Sequence, residues 1–89
     1  LPSGQEKEIA CEGIIVEIGW MPSTGYLADF IELTSAKDIK IDNFNQTNIQ
    51  GVFAAGDATE VLQKQLVIAC GEAAKAALNV WDYLSKLKT

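Results

Sequence analysis

No histidine occurs among the 89 residues, and the only two cysteines, Cys11 and Cys70, lie far apart. A zinc set therefore lacks its usual ligands, and no C-x-x-C spacing supports a redox pair. Two buried thiols are the expectation for such isolated cysteines. The serines and threonines have no base at any recognisable spacing, so nucleophilic catalysis has no candidate constellation. No apolar run approaches the roughly 18 residues of a membrane span. Basic residues number seven against twelve acidic ones, a net charge of −5, and they are scattered. That argues against nucleic acid or an anionic membrane as the main partner. Residues 1–8 lack the basic and apolar regions of a signal peptide, and a cytoplasmic protein is expected. The first residue is not Met, which points to a piece of a longer protein.

What remains is a globular composition, 48% hydrophobic and 21% charged. It suffices for one small domain at most, burying roughly 60–65% of the surface its unfolded chain exposes. Residues 1–8 read as a loop or hairpin edge. Ile9 to Ile18 is β-branched and apolar, broken by Glu12-Gly13, and predicts one bulged strand or two short ones. Gly19 to Gly25 carries loop chemistry. Tyr26 to Leu33 allows a helical turn. Lys40-Ile41-Asp42 reads as a short strand and Asn43 to Gln50 as a polar connection.

The segment Thr47-Asn48-Ile49-Gln50-Gly51-Val52-Phe53-Ala54-Ala55-Gly56-Asp57 is the most informative in the chain. Val52 to Ala55 has the length and bounded apolar character of a strand buried on both faces. Gly56 lets the backbone turn or come close to a ligand. Asp57 places a carboxylate past the strand's carboxyl end, where open α/β sheets bind ligands and where an acid can accept hydrogen bonds from sugar or ribitol hydroxyls. A capping or turn aspartate is the plainer reading when Gly-Asp stands alone.

From Gln65 to Leu87 apolar residues recur at Leu66, Ala69, Cys70, Ala73, Ala77, Val80, Trp81, Leu84 and Leu87, one stripe at helical period. Five alanines add helix propensity. Ala69, Gly71, Ala73 and Ala74 would let the first half approach a sheet or cofactor closely. Lys86 and Lys88 suit the negative end of the dipole. Glu72 and Lys75 read as a solvated pair. Trp81 and Tyr83, two apart, point to different sides; Trp81 lies on the stripe and is the expected core residue.

Thr47-Asn-x-x-Gly51-Val-Phe-Ala-Ala-Gly-Asp57, with Lys64-Gln65 and Gly71-Glu72-Ala-Ala-Lys75-Ala, resembles the flavoprotein disulfide reductases of the thioredoxin reductase type. The look is closest to the flavoprotein subunits of alkyl hydroperoxide reductases. The match extends upstream through Glu12-Gly13-Ile-Ile-Val16-Glu-Ile18-Gly19-x-x-Pro22-x-Thr24 and downstream to Asp82-Tyr83-Leu84. The resemblance implies an α/β fold: the C-terminal part of a three-layer β/β/α, Rossmann-like FAD-binding domain, with short strands followed by one long C-terminal helix. Residues 1–18 would end the pyridine-nucleotide domain and cross over, and 19–89 would form the C-terminal half of the FAD-binding domain. Gly19 to Thr24 matches the family's crossover, with Ser23 in place of the usual Asn and a bulky Trp20, so it reads as structural.

The resemblance further implies that Asp57 bonds the ribitol of FAD, with Gly56 allowing the approach. Gln65 and Leu66 would lie against the N1 and C2-carbonyl edge of the isoalloxazine. There the free N–H groups of a helix start favour the charge of reduced flavin. Lys64 either joins that site or faces solvent. The whole enzyme would take NADPH or NADH through a domain absent here, form a homodimer, and pass electrons to a thioredoxin-like or peroxiredoxin-linked acceptor. No Gly-x-Gly-x-x-Gly turn and no redox cysteine pair is present, so these residues alone are expected to be inactive. The alternative is a non-catalytic interaction module that buries the Trp81 stripe internally and offers Tyr83 to a dimer mate or to a separate flavin half-domain.

Overall fold

Alanine-rich sequence at helical period forms the one long regular element in the computed structural model, which describes residues 2–87. Helix α1 runs over Leu66–Leu87, within one residue of the sequence expectation, and Lys86 lies in its last turn. The Lys86 ammonium pairs with Asp82 at 2.9 Å, one turn back. Lys88 lies outside the described residues, as do Leu1 and Thr89. A single 3₁₀ turn, Gly25–Leu27, falls just ahead of and within the stretch expected to allow one.

The expected strands contract to three isolated bridges: Leu33 with Ile39 and Gln46 with Phe53, both antiparallel, and Ile39 with Thr59, parallel. Ile39 is thus the middle rung between two neighbours. Its N–H donates to the Ala58 carbonyl at 2.8 Å and its carbonyl accepts from Glu60 N–H at 3.0 Å. The bridge lies at Ile39 rather than within Lys40-Ile41-Asp42, where the sequence placed it. Val52 to Ala55 pairs only through Phe53 and is half-buried or exposed, not covered on both faces. Ile9 to Ile18 is no strand: it runs without a hydrogen bond to any described residue, with Ile14 81% and Ile15 92% exposed. β-branched sequence stiffens the chain, but a strand needs a neighbour, and these residues contain none for it.

Among the described residues three apolar ones are buried, Ile31, Ile39 and Ala76, beside three polar ones, Thr24, Asn45 and Thr59. Thr24 and Asn45 tie separate segments together through their side chains. Thr24 Oγ1 donates to the Lys37 carbonyl at 2.6 Å. Asn45, in the left-handed region at φ 61°, donates from Nδ2 to the Ala54 carbonyl at 3.0 Å and to Glu72 Oε2 at 3.3 Å. Glu72 also pairs with Lys75 at 2.9 Å. It is therefore a link between α1 and the loops as well as half of the expected pair with Lys75.

Helix α1 turns Ile68, Ala69, Glu72, Ala76, Asn79, Val80 and Tyr83 towards the loops. Tyr83 meets Phe53 edge to face, with ring centroids 5.8 Å apart. Its hydroxyl sits 3.3 Å from where a Cβ on Gly51 would lie, a tight approach, and Gly51 has φ +84°, a backbone conformation that favours glycine. Trp81 is 70% exposed, which reverses the expected order of Trp81 and Tyr83. Most of the apolar stripe read from the sequence faces away from the loops. Both cysteines are exposed as well, Cys11 on the unpaired arm and Cys70 on the bare side of α1, against the expectation of buried thiols.

The accessible surface is 7393 Å² for 9.6 kDa. A self-contained monomer of that mass exposes roughly 5,100 Å². The radius of gyration is 18.7 Å, where a compact domain of this length has about 12 Å. These residues leave an apolar surface that they do not cover themselves.

Candidate functional site

The turn at Gly56 is built from residue chemistry before any ligand is considered. Gly56 sits at φ +89°, where an L side chain is strained. Thr59 closes the turn twice, its N–H at 3.1 Å and its hydroxyl at 2.7 Å from the Gly56 carbonyl oxygen. The hydroxyl is satisfied inside the turn, which is how a polar residue comes to be fully buried. A Cβ placed on Gly56 would lie 3.9 Å from the Ala69 Cβ, so the turn rests against the start of α1. Asp57 projects from it, exposed and with no partner among the described residues.

Helix α1 begins beside this turn. The Gln65 carbonyl accepts from Ala69 N–H at 2.9 Å, which makes Gln65 the entry residue of the helix. The N–H groups of the first turn have no intrahelical acceptor, and no acidic residue occupies that turn. The partial positive charge there is left for something outside the helix. Gln65 is exposed, and Leu66 is 82% exposed. Asp57, Gln65 and Leu66 are all exposed, and the half-buried Gly56 lies against Ala69 in the first turn of α1.

Lys64 is not the solvent-facing lysine that one of its sequence readings allowed. Its ammonium donates to the Thr59 carbonyl, pairs with Asp38 Oδ1 at 3.5 Å and lies 5.2 Å from the centroid of the Trp20 ring. Only 20% of its side chain is exposed. Asp38, Thr59 and Trp20 are the residues that sequence reasoning passed over. Trp20, an unusual bulk in a loop otherwise read as a crossover, was the one signal available.

Among titratable groups, Glu72 is held below the ordinary glutamate value of 4.5, first by its bond to Lys75 and then by that to Asn45. Two grooves of about 250 and 360 Å³ flank Tyr83 near the other end of α1, away from Asp57. No group of acidic or cysteine side chains among the described residues could hold a metal ion. No described helix is long and apolar enough to cross a membrane.

The residues fit a flavin dinucleotide as far as the donor set goes. An unpaired carboxylate suits polyol hydroxyls, a left-handed glycine permits close approach, and an uncapped helix start suits an electron-rich ring edge.

The chain is 44% identical over 84 residues to an alkyl hydroperoxide reductase subunit of Staphylococcus aureus (strain Mu50 / ATCC 700699), covering 94% of this chain and 17% of that protein. It is 50% identical over 80 residues to the corresponding alkyl hydroperoxide reductase subunit of Pseudomonas putida, covering 90% and 15%. Among solved structures, T. acidophilum thioredoxin reductase superposes with a TM-score of 0.83 at 34% identity, over 96% of this chain and 28% of that one. Lactococcus lactis thioredoxin reductase does so with a TM-score of 0.76 at 30% identity, over 83% and 24%. The chain spans about a sixth of the length of the curated relatives it matches. Residues 2–80 match the family described as pyridine nucleotide-disulphide oxidoreductase. With an α/β fold shared with thioredoxin reductases, the chain belongs to the pyridine nucleotide-disulphide oxidoreductase family.

Proposed function

We propose that these residues form one wall of the FAD site in a longer NAD(P)H:disulfide oxidoreductase of the thioredoxin reductase type. The observation that carries the reading is the unpaired Asp57 on its left-handed Gly56 turn, packed against the uncapped start of α1. Asp57 accepts hydrogen bonds from ribitol hydroxyls, and Gly56 leaves room for them. Gln65, Leu66 and the first free N–H groups of α1 lie along the pyrimidine edge of the flavin ring and favour negative charge there. When bound, FAD supplies the passage of reducing equivalents from a nicotinamide to a disulfide. Residues 1–18 end the nucleotide domain and cross over; 19–89 complete the flavin domain in its β/β/α layering. The bare side of α1 and the unpaired arm are covered by the rest of the flavoprotein. The whole enzyme works as a cytoplasmic homodimer and reduces a thioredoxin-like or peroxiredoxin-linked acceptor.

Size-exclusion chromatography with added FAD tests this. FAD is expected to co-elute with the full-length flavoprotein and to elute free from the 89-residue chain, which should show no NAD(P)H oxidation. Asp57→Ala in the full-length protein is expected to raise the FAD Kd by roughly ten- to a hundredfold, the worth of hydrogen bonds to a charged group. An unchanged Kd would remove Asp57 from the site. A mass that grows with concentration, without flavin uptake, would favour the non-catalytic interaction module instead.

A further inference from the structure

Lys64 has more partners than any other cation ahead of α1, and they come from three separate segments. Only 20% of its side chain and 18% of the Asp38 side chain are exposed. The Thr59 carbonyl that accepts from Lys64 ends the turn on which Asp57 rides. Asp38 closes the turn of residues 34–38, where Thr34 N–H donates to the Asp38 carbonyl at 2.8 Å and Asp38 N–H to Thr34 Oγ1 at 3.1 Å. Trp20 belongs to the loop that follows the unpaired arm, and its ring contact with Lys64 joins that loop to the rest. Lys64 itself is adjacent to Gln65, where α1 begins. An ammonium is a point charge with three donors, and here it meets one carbonyl, one carboxylate and one ring face. A planar guanidinium fork cannot serve three partners so arranged with equal fit.

We infer that Lys64 is a positioning residue: it fixes the Asp57 turn and the start of α1 relative to each other and ties the Trp20 loop to both, without touching flavin. The inference rests on the proposed function and adds to it a group that acts only through its neighbours. Neutralising Lys64 leaves Asp38 half-buried and unpaired and frees the Thr59 carbonyl. The Asp57 turn and the helix start then move independently, and the helix N–H groups lose their aim.

The test uses the full-length flavoprotein, with FAD titrated by flavin fluorescence and the midpoint potential of the bound flavin measured. Lys64→Met is expected to raise the FAD Kd about tenfold, as the loss of a charged hydrogen-bond hub does. It should also make the potential more negative, because less charge is favoured at the ring edge. Lys64→Arg should fall between Lys64→Met and wild type. Trp20→Leu, which keeps the ion pair and removes only the ring, should shift Kd about threefold in the same direction. Wild-type protein that binds no FAD would overturn the functional reading, and this inference with it. Wild-type binding with Kd and potential unchanged in Lys64→Met would overturn the inference alone, as would a loss of thermal stability with no change in either. Should Lys64→Met fail to fold, Trp20→Leu decides by the same two readouts.

Discussion

The two sides of α1 differ in a way that inverts the usual rule. The side facing the loops is narrow and mixed, with Ala76 buried, Glu72 bonded to Asn45, and Tyr83 against Phe53. The opposite side carries Leu66, Cys70, Ala77, Trp81 and Leu84, is far more apolar, and stands open. Hydrophobicity alone would bury the second side first. What fixes the first is specificity: one buried amide, one edge-to-face ring pair and one glycine that admits a tyrosine. On the proposed function, the open side is where the rest of the flavoprotein packs.

The most direct challenge to this contrast is Trp81→Ala, measured twice by urea unfolding. It should cost about 3 kcal/mol in the full-length flavoprotein, where the ring is covered, and under about 0.5 kcal/mol in the short chain, where it is not. Equal costs would mean that nothing covers this side. Next in size is Asn45→Ala, expected to destabilise the full-length protein by about 2 kcal/mol through lost hydrogen bonds and a left-handed backbone that alanine resists. Asn45→Gly keeps the backbone conformation and loses only the bonds, so it should recover part of that cost. The smallest effect concerns the polar link. Glu72 titrates below its ordinary 4.5, so its carboxylate stabilises the fold above that pH, and the stabilisation is lost as pH falls through the lowered value. Glu72→Gln should cost roughly a few tenths of a kcal/mol at neutral pH. The gap from wild type should close in acid; a gap that persists there would assign Glu72 a packing role only.

The helix was legible because its signals are local. Alanine propensity and a 3.6-residue period need no partner, and the boundary at Gln65 followed from them. The Gly56-Asp57 turn was legible for a local reason too, since glycine permits the left-handed backbone that a turn at the end of an apolar run can require. The strands were not, because Ile9 to Ile18 carries its β signal in the side chains while its hydrogen-bonding neighbour is missing from these residues. The stripe on α1 is apolar, as its period indicates, but not inward, because periodicity reports a face and not what lies opposite it. Lys64 sits at a position where sequence offered a flavin-site role or a solvent-facing one, and only the spatial meeting of residues 20, 38 and 59 reveals its ion pair and ring contact. The two cysteines followed general burial statistics that do not apply to surfaces a partner has yet to cover.

Ile14-Ile15-Val16, bare on both sides and β-branched throughout, has a consequence for how the molecule is made in a cell. A short segment of high strand propensity without proline is what one chain offers another when fibrils nucleate. Until the arm is docked, every newly made copy carries an open template for self-assembly, and chaperones that bind extended apolar segments have an obvious handle. Docking of the arm is then the step that divides productive assembly from precipitation. A molecule with a well-formed Gly56 turn and helix start but a badly seated arm would be lost to aggregation before either was ever used.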